Sequence, residues 1–319
     1  MCSEMCIRDR NSMDWVLFVT QMLNGLQLGV LLFLLASGLT LIFGIMDFVN
    51  LAHGSLYMIG AYFCGTFTDI TDSFLYGIIL AIPATAVVGV IVEIIIIRRL
   101  YSQNHLDHVL ATFGLILCFD ALVHFAWGPE GMAIPLPAIL DGQIEILPDI
   151  VFPTFRLLII TTGLTLAIIL YLVITRTRSG MLIRAGASNR TMIGALGIDI
   201  KTLSTLVFGA GAAMAGLAGM MISPITEASI GMGNDIIIVA FVVIIIGGIG
   251  SVKGAFIAAI LVGFIDTMGR SFLDTFLKLL LSAESAETAA PALSAMLIYI
   301  LMATILIFRP QGLFPPRGR

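Results

Sequence analysis

The sequence predicts an all-α chain, a polytopic transmembrane helical bundle of about 8–10 spans with discontinuous helices. Three observations carry that prediction. Of 319 residues, 59% are hydrophobic and only 11% charged, more apolar surface than one soluble core of this length can hide. Several runs exceed the roughly 18 apolar residues that mark a spanning helix. None shows the strict two-residue alternation of an outer-membrane barrel strand.

The expected spans fall near 28–46, 51–68, 75–97, 106–127, 157–175, 202–223, 236–250, 254–273 and 290–308. Segment 14–27 reads either as an interfacial helix or as the start of a longer first span. Between spans, Arg98 and Arg99, then Arg176, Arg178, Arg184, Arg190 and Lys201, then Lys253, and finally Arg309, Arg317 and Arg319 occupy alternate loops. The positive-inside rule assigns those loops and the C-terminus to the cytoplasm of a multi-pass protein of a bacterial-type inner membrane. The loop 128–156 carries Glu130, Asp141, Glu145 and Asp149 with no cation before Arg156, so it is expected outside, as irregular structure rich in Pro and Gly.

Residues 1–13 form a charged head without the apolar core of a signal peptide, and Met13 is a plausible start; the head is expected to be a gene-calling artefact or a disordered segment. Residues 14–314 are expected to form one membrane permease domain, and 315–319 a cytoplasmic tail. The four cysteines form no Cys-x-x-Cys pair, which argues against a disulfide framework and a metal site. The net charge of −4 carries little information beside the placement of the cations.

Two glycine-flanked breaks interrupt the apolar runs. The first, Gly38 to Tyr62, sets Asn50, His53 and Gly54 between long apolar stretches, with Tyr57 one turn beyond His53. An amide, an imidazole and a residue free to take positive φ can offer hydrogen bonds to a polar solute from an unwound helix. A wetted cytoplasmic turn is the plain alternative. The second break contains Gly247, Gly248 and Gly250 and follows an apolar run of about 15 residues, short for a bilayer. It reads as a discontinuous helix or as a tight turn. It is no nucleotide loop, because the chain contains no Gly-Lys dipeptide.

A faint internal echo links Gly44, Gly54 and Gly60-Ala61 with Gly247, Gly250 and Gly254-Ala255. The run Gly209 to Gly219 places small residues at helical spacing, as close helix packing requires. Asp120 with His124, and Asp266 with Arg270, stand at i,i+4 and can neutralise each other or relay protons. The basic segment from Arg176 to Lys201 has room for a short surface helix between two turns, docked on a partner or resting near anionic lipid.

Five of these stretches, in order, resemble the LivH-type permeases of branched-chain amino acid ABC transporters: Gly38–Tyr62 with its Asn50-Leu-Ala-His-Gly54 core, Gly180–Ile198, Phe208–Gly219, Gly247–Gly254 and Pro310–Phe314. The resemblance implies that Gly180, Arg184, Ala185, Asn189, Arg190, Gly197 and Ile198 belong to a coupling loop seated in a cleft of the ATP-binding subunit. It implies a second permease subunit, two ATP-binding cassette subunits, a periplasmic solute-binding protein and the lipid membrane as partners, with no nucleic acid. It also implies that ATP and magnesium are bound on partner subunits, leaving this chain without a cofactor, a metal or a catalytic residue of its own. The solute path is expected along Asn50, His53, Gly54, Tyr57, Gly247, Gly248 and Gly250, carrying leucine, isoleucine and valine inward. Asp47 and Ser55 depart from the pattern of many relatives. Urea and short-amide permeases share the same motifs, and a stand-alone secondary transporter or channel is the alternative that Asp120 and Asp266 suggest.

Overall fold

The computed structural model describes residues 2–147, 150–279 and 282–314; the tail expected at 315–319 lies outside them. The chain is helical almost throughout. Helix α1 is Cys2–Met46, so the head expected at 1–13 falls on its first turns; α2 is His53–Thr71 and α3 is Phe74–Val92. A π-helical turn, Glu93–Ile97, joins α3 to the single turn α4, Arg98–Leu100, and α5 is His105–Trp127. After β1 (Gln143–Leu147) and β2 (Ile150–Pro153) come α6 (Thr154–Arg176), α7 (Arg178–Ser188) and α8 (Arg190–Ala195). Then follow α9 (Ile200–Thr226), α10 (Met232–Gly247), α11 (Val252–Leu277) and α12 (Ala283–Phe308).

Among the described residues seven helices are long and apolar enough to cross a membrane: α1 from Trp15, α3 with its π turn and α4, α5, α6, α9, α11 and α12. Two further apolar runs expected as spans become shorter helices, α2 of 19 residues and α10 of 16. Segment 14–27 is continuous with α1. The 32 residues from Trp15 to Met46 extend about 48 Å, well beyond a hydrocarbon layer of about 30 Å, so α1 tilts or projects.

Burial sorts the helices into an inner and an outer set. The apolar window is 83% buried in α1 and 67% in α9, but only 17% in α6 and 11% in α12. Phe125, Ile307 and Phe308 lie exposed on outer helices, the sort of apolar surface that lipid covers.

Glycines set how closely the inner helices approach. A Cβ added to Gly60 of α2 would stand 2.3 Å from Gly216 Cα of α9, and one added to Gly29 of α1 would stand 2.8 Å from Ile260 Cα of α11. Gly38 of α1 meets Gly211 of α9 in the same way, at 2.7 Å from its carbonyl oxygen. The small-residue run in α9 is therefore a packing face. With no hydrophobic driving force between helices inside lipid, close backbone approach of this kind holds a bundle together.

The loop 128–156 differs from the irregular structure expected. Residues Gln143–Leu147 and Ile150–Pro153 pair antiparallel as a hairpin with a register shift between Glu145 and Leu147. Met132 forms an isolated bridge with Ala228. This hairpin marks one face of the molecule; the basic segments around Arg98 and Arg176–Lys201 mark the other.

Candidate functional site

At the end of α1 the Asp47 N–H closes the last turn on the Phe43 carbonyl (2.9 Å), and Asp47 itself takes φ 51°, a left-handed conformation open to aspartate. The chain then turns back into the bundle. Phe48 is fully buried, its ring 4.4 Å from that of His108 and edge-on to Tyr101 at 6.2 Å. Asn50 and Ala52 are also buried, and α2 starts at His53. His53 Nε2 lies 3.0 Å from where a Cβ on Gly38 would stand. Gly38 precedes Met46 by eight residues, so α2 starts about 12 Å inside the end of α1. The break expected from the sequence is a buried re-entry, and the wetted turn is excluded.

A second helix starts beside it. The chain leaves α9 at Thr226 near the hairpin face, where Ala228 pairs with Met132. It dips inward through Gly231, at φ 82°, to begin α10 at Met232. Gly54 and Gly233 then meet backbone to backbone: a Cβ on Gly54 would be 2.2 Å from the Gly233 carbonyl oxygen, and one on Gly233 would be 2.0 Å from that of Gly54. Met58 Sδ lies 3.3 Å from the Gly231 nitrogen, while Ile237 Cβ approaches Gly54. The first turns of α2 and α10 thus overlap side by side and run in opposite directions, α2 toward the hairpin face and α10 toward the basic face.

Polar side chains around these starts are buried without satisfaction. Asn50 is 1% exposed, His53 0%, Ser55 1% and Thr40 1%. Asn50 Oδ1, both His53 ring nitrogens, Ser55 Oγ and Thr40 Oγ1 have no hydrogen-bond partner among the described residues. The Leu35 carbonyl faces the imidazole but does not meet hydrogen-bond geometry. Most buried polar groups are paired, so several orphans in one region mark a place where something polar is accommodated. Tyr57 is also buried, with its main chain seated against Gly219 of α9.

The second glycine break lies elsewhere. Gly248 (φ 101°) and Gly250 (φ 84°) form a turn from α10 into α11, whose start is capped by Ser251 Oγ accepting from the Gly254 N–H at 3.1 Å. The 310–314 segment clamps this turn: Leu313 N–H donates to the Ile246 carbonyl (2.8 Å) and Phe314 N–H to that of Gly247 (3.1 Å). Gly247 follows Gly233 by fourteen residues, about 21 Å along α10, so Gly247, Gly248 and Gly250 do not join Asn50 and His53. Gly250 instead neighbours Gly44 at the basic face. Gly231 and Gly233 are the neighbours of Gly54 that sequence reasoning missed; their signal was a Gly-x-Gly pair just ahead of the short apolar run.

The acidic pairs divide. Asp266 binds Arg270 at 2.9 Å as its spacing suggests. Asp120 forms no ion pair with His124 among the described residues; its Oδ2 accepts from Asn234 of the first turn of α10 at 3.2 Å. Among the described residues no His, Cys, Asp or Glu cluster is built to hold a metal.

On the basic face the segment after α6 forms two short helices instead of one. Thr177 Oγ1 caps α7 by accepting from Gly180 N–H (3.0 Å), Asn189 Oδ1 caps α8 through Met192 N–H (2.9 Å), and Asp199 Oδ1 caps α9 through Lys201 N–H (2.9 Å). Gly180 is pressed on the Val173 and Ile174 carbonyls, and Arg184 donates to the Ile174 carbonyl, folding α7 back on α6. Gly197, with φ 85°, turns the chain from α8 into α9, and Ile198 follows it half-buried. Ala185 is half-buried, while Met192 and Leu196 are 61% and 74% exposed.

This segment is joined to the break by a polar hub that sequence reasoning had not placed. Glu93, fully buried in the π turn, accepts from Arg98 (2.9 Å), Thr205 (2.8 Å) and Tyr101 (2.8 Å). Arg190 of α8 stacks over the Tyr101 ring at 4.9 Å. Tyr101 in turn touches Phe48 and lies within 3.3 Å of Met46 Sδ. Burial, followed by the Glu93 carboxylate, raises the Tyr101 phenol above its ordinary value, so the hydroxyl stays a donor. Sequence carried one cue, an acid followed by Arg98-Arg99 at a helix end.

Comparison with known proteins adds the family. A family model described as "Branched-chain amino acid transport system / permease component" matches residues 21–306. The high-affinity branched-chain amino acid transport system permease protein BraD of Pseudomonas aeruginosa is 28% identical over 313 residues, covering 93% of this chain and 95% of that protein. The corresponding permease protein LivH of Escherichia coli K12 is 28% identical over 322 residues, covering 94% and 98%. A probable branched-chain amino acid transport permease protein LivH of Methanocaldococcus jannaschii is 27% identical over 298 residues, covering 89% and 88%. No solved structure matches. With the family model spanning most of the chain and its long apolar helices on the page, the protein belongs to the permease components of branched-chain amino acid transport systems.

Proposed function

We propose that this chain is a translocation subunit of an ABC importer that carries leucine, isoleucine and valine inward across an inner membrane. The single observation that carries the reading is the family match over 21–306. The re-entrant start of α2 supports it by setting orphan polar groups deep among apolar helices. Solute passes along Asn50, His53, Gly54 and Tyr57, and reaches the basic face near Gly247, Gly248 and Gly250.

ATP is hydrolysed on separate subunits. Helices α7 and α8 are the part of this chain they grip, with Gly180, Arg184, Ala185, Asn189, Arg190, Gly197 and Ile198 building the contact. The exposed Met192 and Leu196 suit insertion into a protein cleft better than a purely polar loop would. Movement of α8 reaches the break through Arg190, Tyr101 and Phe48. A second permease, two ATP-binding cassette subunits and a periplasmic solute-binding protein complete the assembly, and the C-terminus is cytoplasmic.

The test is reconstitution in liposomes with those partners. ATP-dependent leucine uptake that requires the binding protein supports the reading. Uptake by this chain alone, driven by an ion gradient, overturns it in favour of a secondary transporter. Equal uptake of urea in the full complex points to a short-amide permease.

A further inference from the structure

The starts of α2 and α10 belong to different halves of the chain and enter from opposite faces, yet they overlap by about a turn at Gly54 and Gly233. A helix start presents backbone N–H groups without intrahelical partners and carries about half a positive charge. Here two such starts, on helices of 19 and 16 residues, lie together inside a membrane-spanning bundle. Neither carries a side-chain cap: Ala52 precedes α2 and Gly231 precedes α10, and neither supplies a capping hydrogen bond. In lipid an unanswered positive end is costly, and an anion is what answers it.

A second, independent observation lies at the same place. Ser55, in the first turn of α2, has its backbone nitrogen 3.1 Å from where a Gly233 Cβ would stand, and its hydroxyl is 1% exposed without a partner. His53, fully buried between α2 and Gly38, keeps both ring nitrogens unpartnered, and Asn50 Oδ1 is equally free of partners among the described residues. A hydroxyl and an imidazole N–H supply donors for a carboxylate. An amide oxygen supplies an acceptor for an ammonium group.

We propose that the paired starts of α2 and α10, with Ser55 and His53, form a site for the α-carboxylate of the transported amino acid, and that Asn50 Oδ1 receives its ammonium group. This rests on the solute path proposed above and deepens it by naming the group that is recognised. It separates two solute classes that share the family's motifs, because urea and short amides carry no charge for two positive helix ends to meet. Gly54 and Gly233 are needed because any side chain at either position would part the two starts.

The test uses Ser55→Cys in a chain whose four native cysteines are replaced by alanine, assembled with its partners and turning over ATP. Thiol modification is followed with an anionic and a cationic methanethiosulfonate, each normalised to its rate with a free thiol. The anionic reagent should react faster by a factor of about ten, the sum of two helix starts favouring one negative charge. Leucine and 4-methylpentanoate, which keeps the carboxylate without the amine, should slow it. Isoamylamine, which keeps the amine alone, should not. A cationic preference, or protection by isoamylamine and not by 4-methylpentanoate, overturns the carboxylate site while leaving the path intact. Failure of both reagents with and without ATP removes Ser55 from the path and overturns both readings. Should Ser55→Cys fail to assemble, Thr40→Cys, whose orphan hydroxyl lies on the neighbouring α1, repeats the comparison with the same readings.

Discussion

Replacing Gly60 with alanine tests whether backbone contact between α2 and α9 holds the inner bundle. The new methyl would stand 2.3 Å from Gly216 Cα and 2.6 Å from its carbonyl oxygen. Ordinary contact begins near 3.4 Å, so the two helices must part by about 1.1 Å, and no flexible side chain can yield in their place. Overpacking of this kind costs about 1–3 kcal/mol. Alanine's better helix propensity offsets about 1 kcal/mol of that. Gly114 of α5 is the control, because nothing lies within 4 Å of a Cβ added there, and its alanine variant keeps the propensity gain. A thiol-reactive fluorescent dye gives the melting curve of the purified chain, since Cys64 is fully buried and reacts on unfolding. The expected order is Gly114→Ala at or above the parent, and Gly60→Ala several degrees below it. Gly60→Ala melting level with Gly114→Ala would show that the α2–α9 seam is not tight, and would refute the reasoning.

Further outcomes follow from the hub and the basic face. Glu93→Ala leaves Arg98 without its 2.9 Å partner and removes the acceptor shared by Thr205 and Tyr101; it should cost about 3 kcal/mol, the low end for breaking a buried pair, because Arg98 is 31% exposed. Tyr101→Phe keeps the ring against Phe48 and Arg190 and loses one hydrogen bond to a charged acceptor, about 1.5 kcal/mol; the same dye assay checks the order, and a larger loss for Tyr101→Phe contradicts it. Gly197→Pro cannot reach φ 85° and lacks the N–H that Gly194 accepts, so ATP hydrolysis coupled to transport should vanish while membrane insertion, read by fractionation, persists. Asp199 is held below the usual carboxylate range by the Thr202 hydroxyl and then the Lys201 N–H. A lowered folded value gives stability that is complete above the ordinary aspartate value of about 3.9 and is lost as pH falls through the lowered one. The melting gap between the parent and Asp199→Ala should therefore hold steady from neutral pH down to about 5 and close below about 4.

Much of this architecture is written in runs of apolar residues, and those runs are local. The α9 stripe from Gly209 to Gly219 and the polar break at Asn50–Gly54 were both legible, because small residues at helical spacing and polar residues in an apolar run each need a reason. Where the break sits was not legible. Charge placement drew the nearest loop to the basic face, and only the contact of His53 with Gly38 sets α2 deeper. The pairing of Gly54 with Gly233 depends on the chain's path through the whole bundle, and no short-range pattern encodes it. The second glycine break drew attention because it holds more glycines, yet its positive φ angles serve a turn clamped by the 310–314 segment. The hairpin at 143–153 was missed because its alternation, Ile144 and Ile146 about Glu145, is too brief to stand out within a loop.

The segments 47–52 and 227–231 reach the same depth from opposite sides of the molecule. Each face of the bundle therefore owns one of two interlocked keys. The first is pinned near the basic face by Phe48 against Tyr101 and His108, the second near the hairpin face by Ala228 against Met132. A pull on either face withdraws only its own key, and the antiparallel overlap at Gly54 and Gly233 then has to re-form before the other is released. The geometry disfavours withdrawing both together, the condition under which a membrane path would leak.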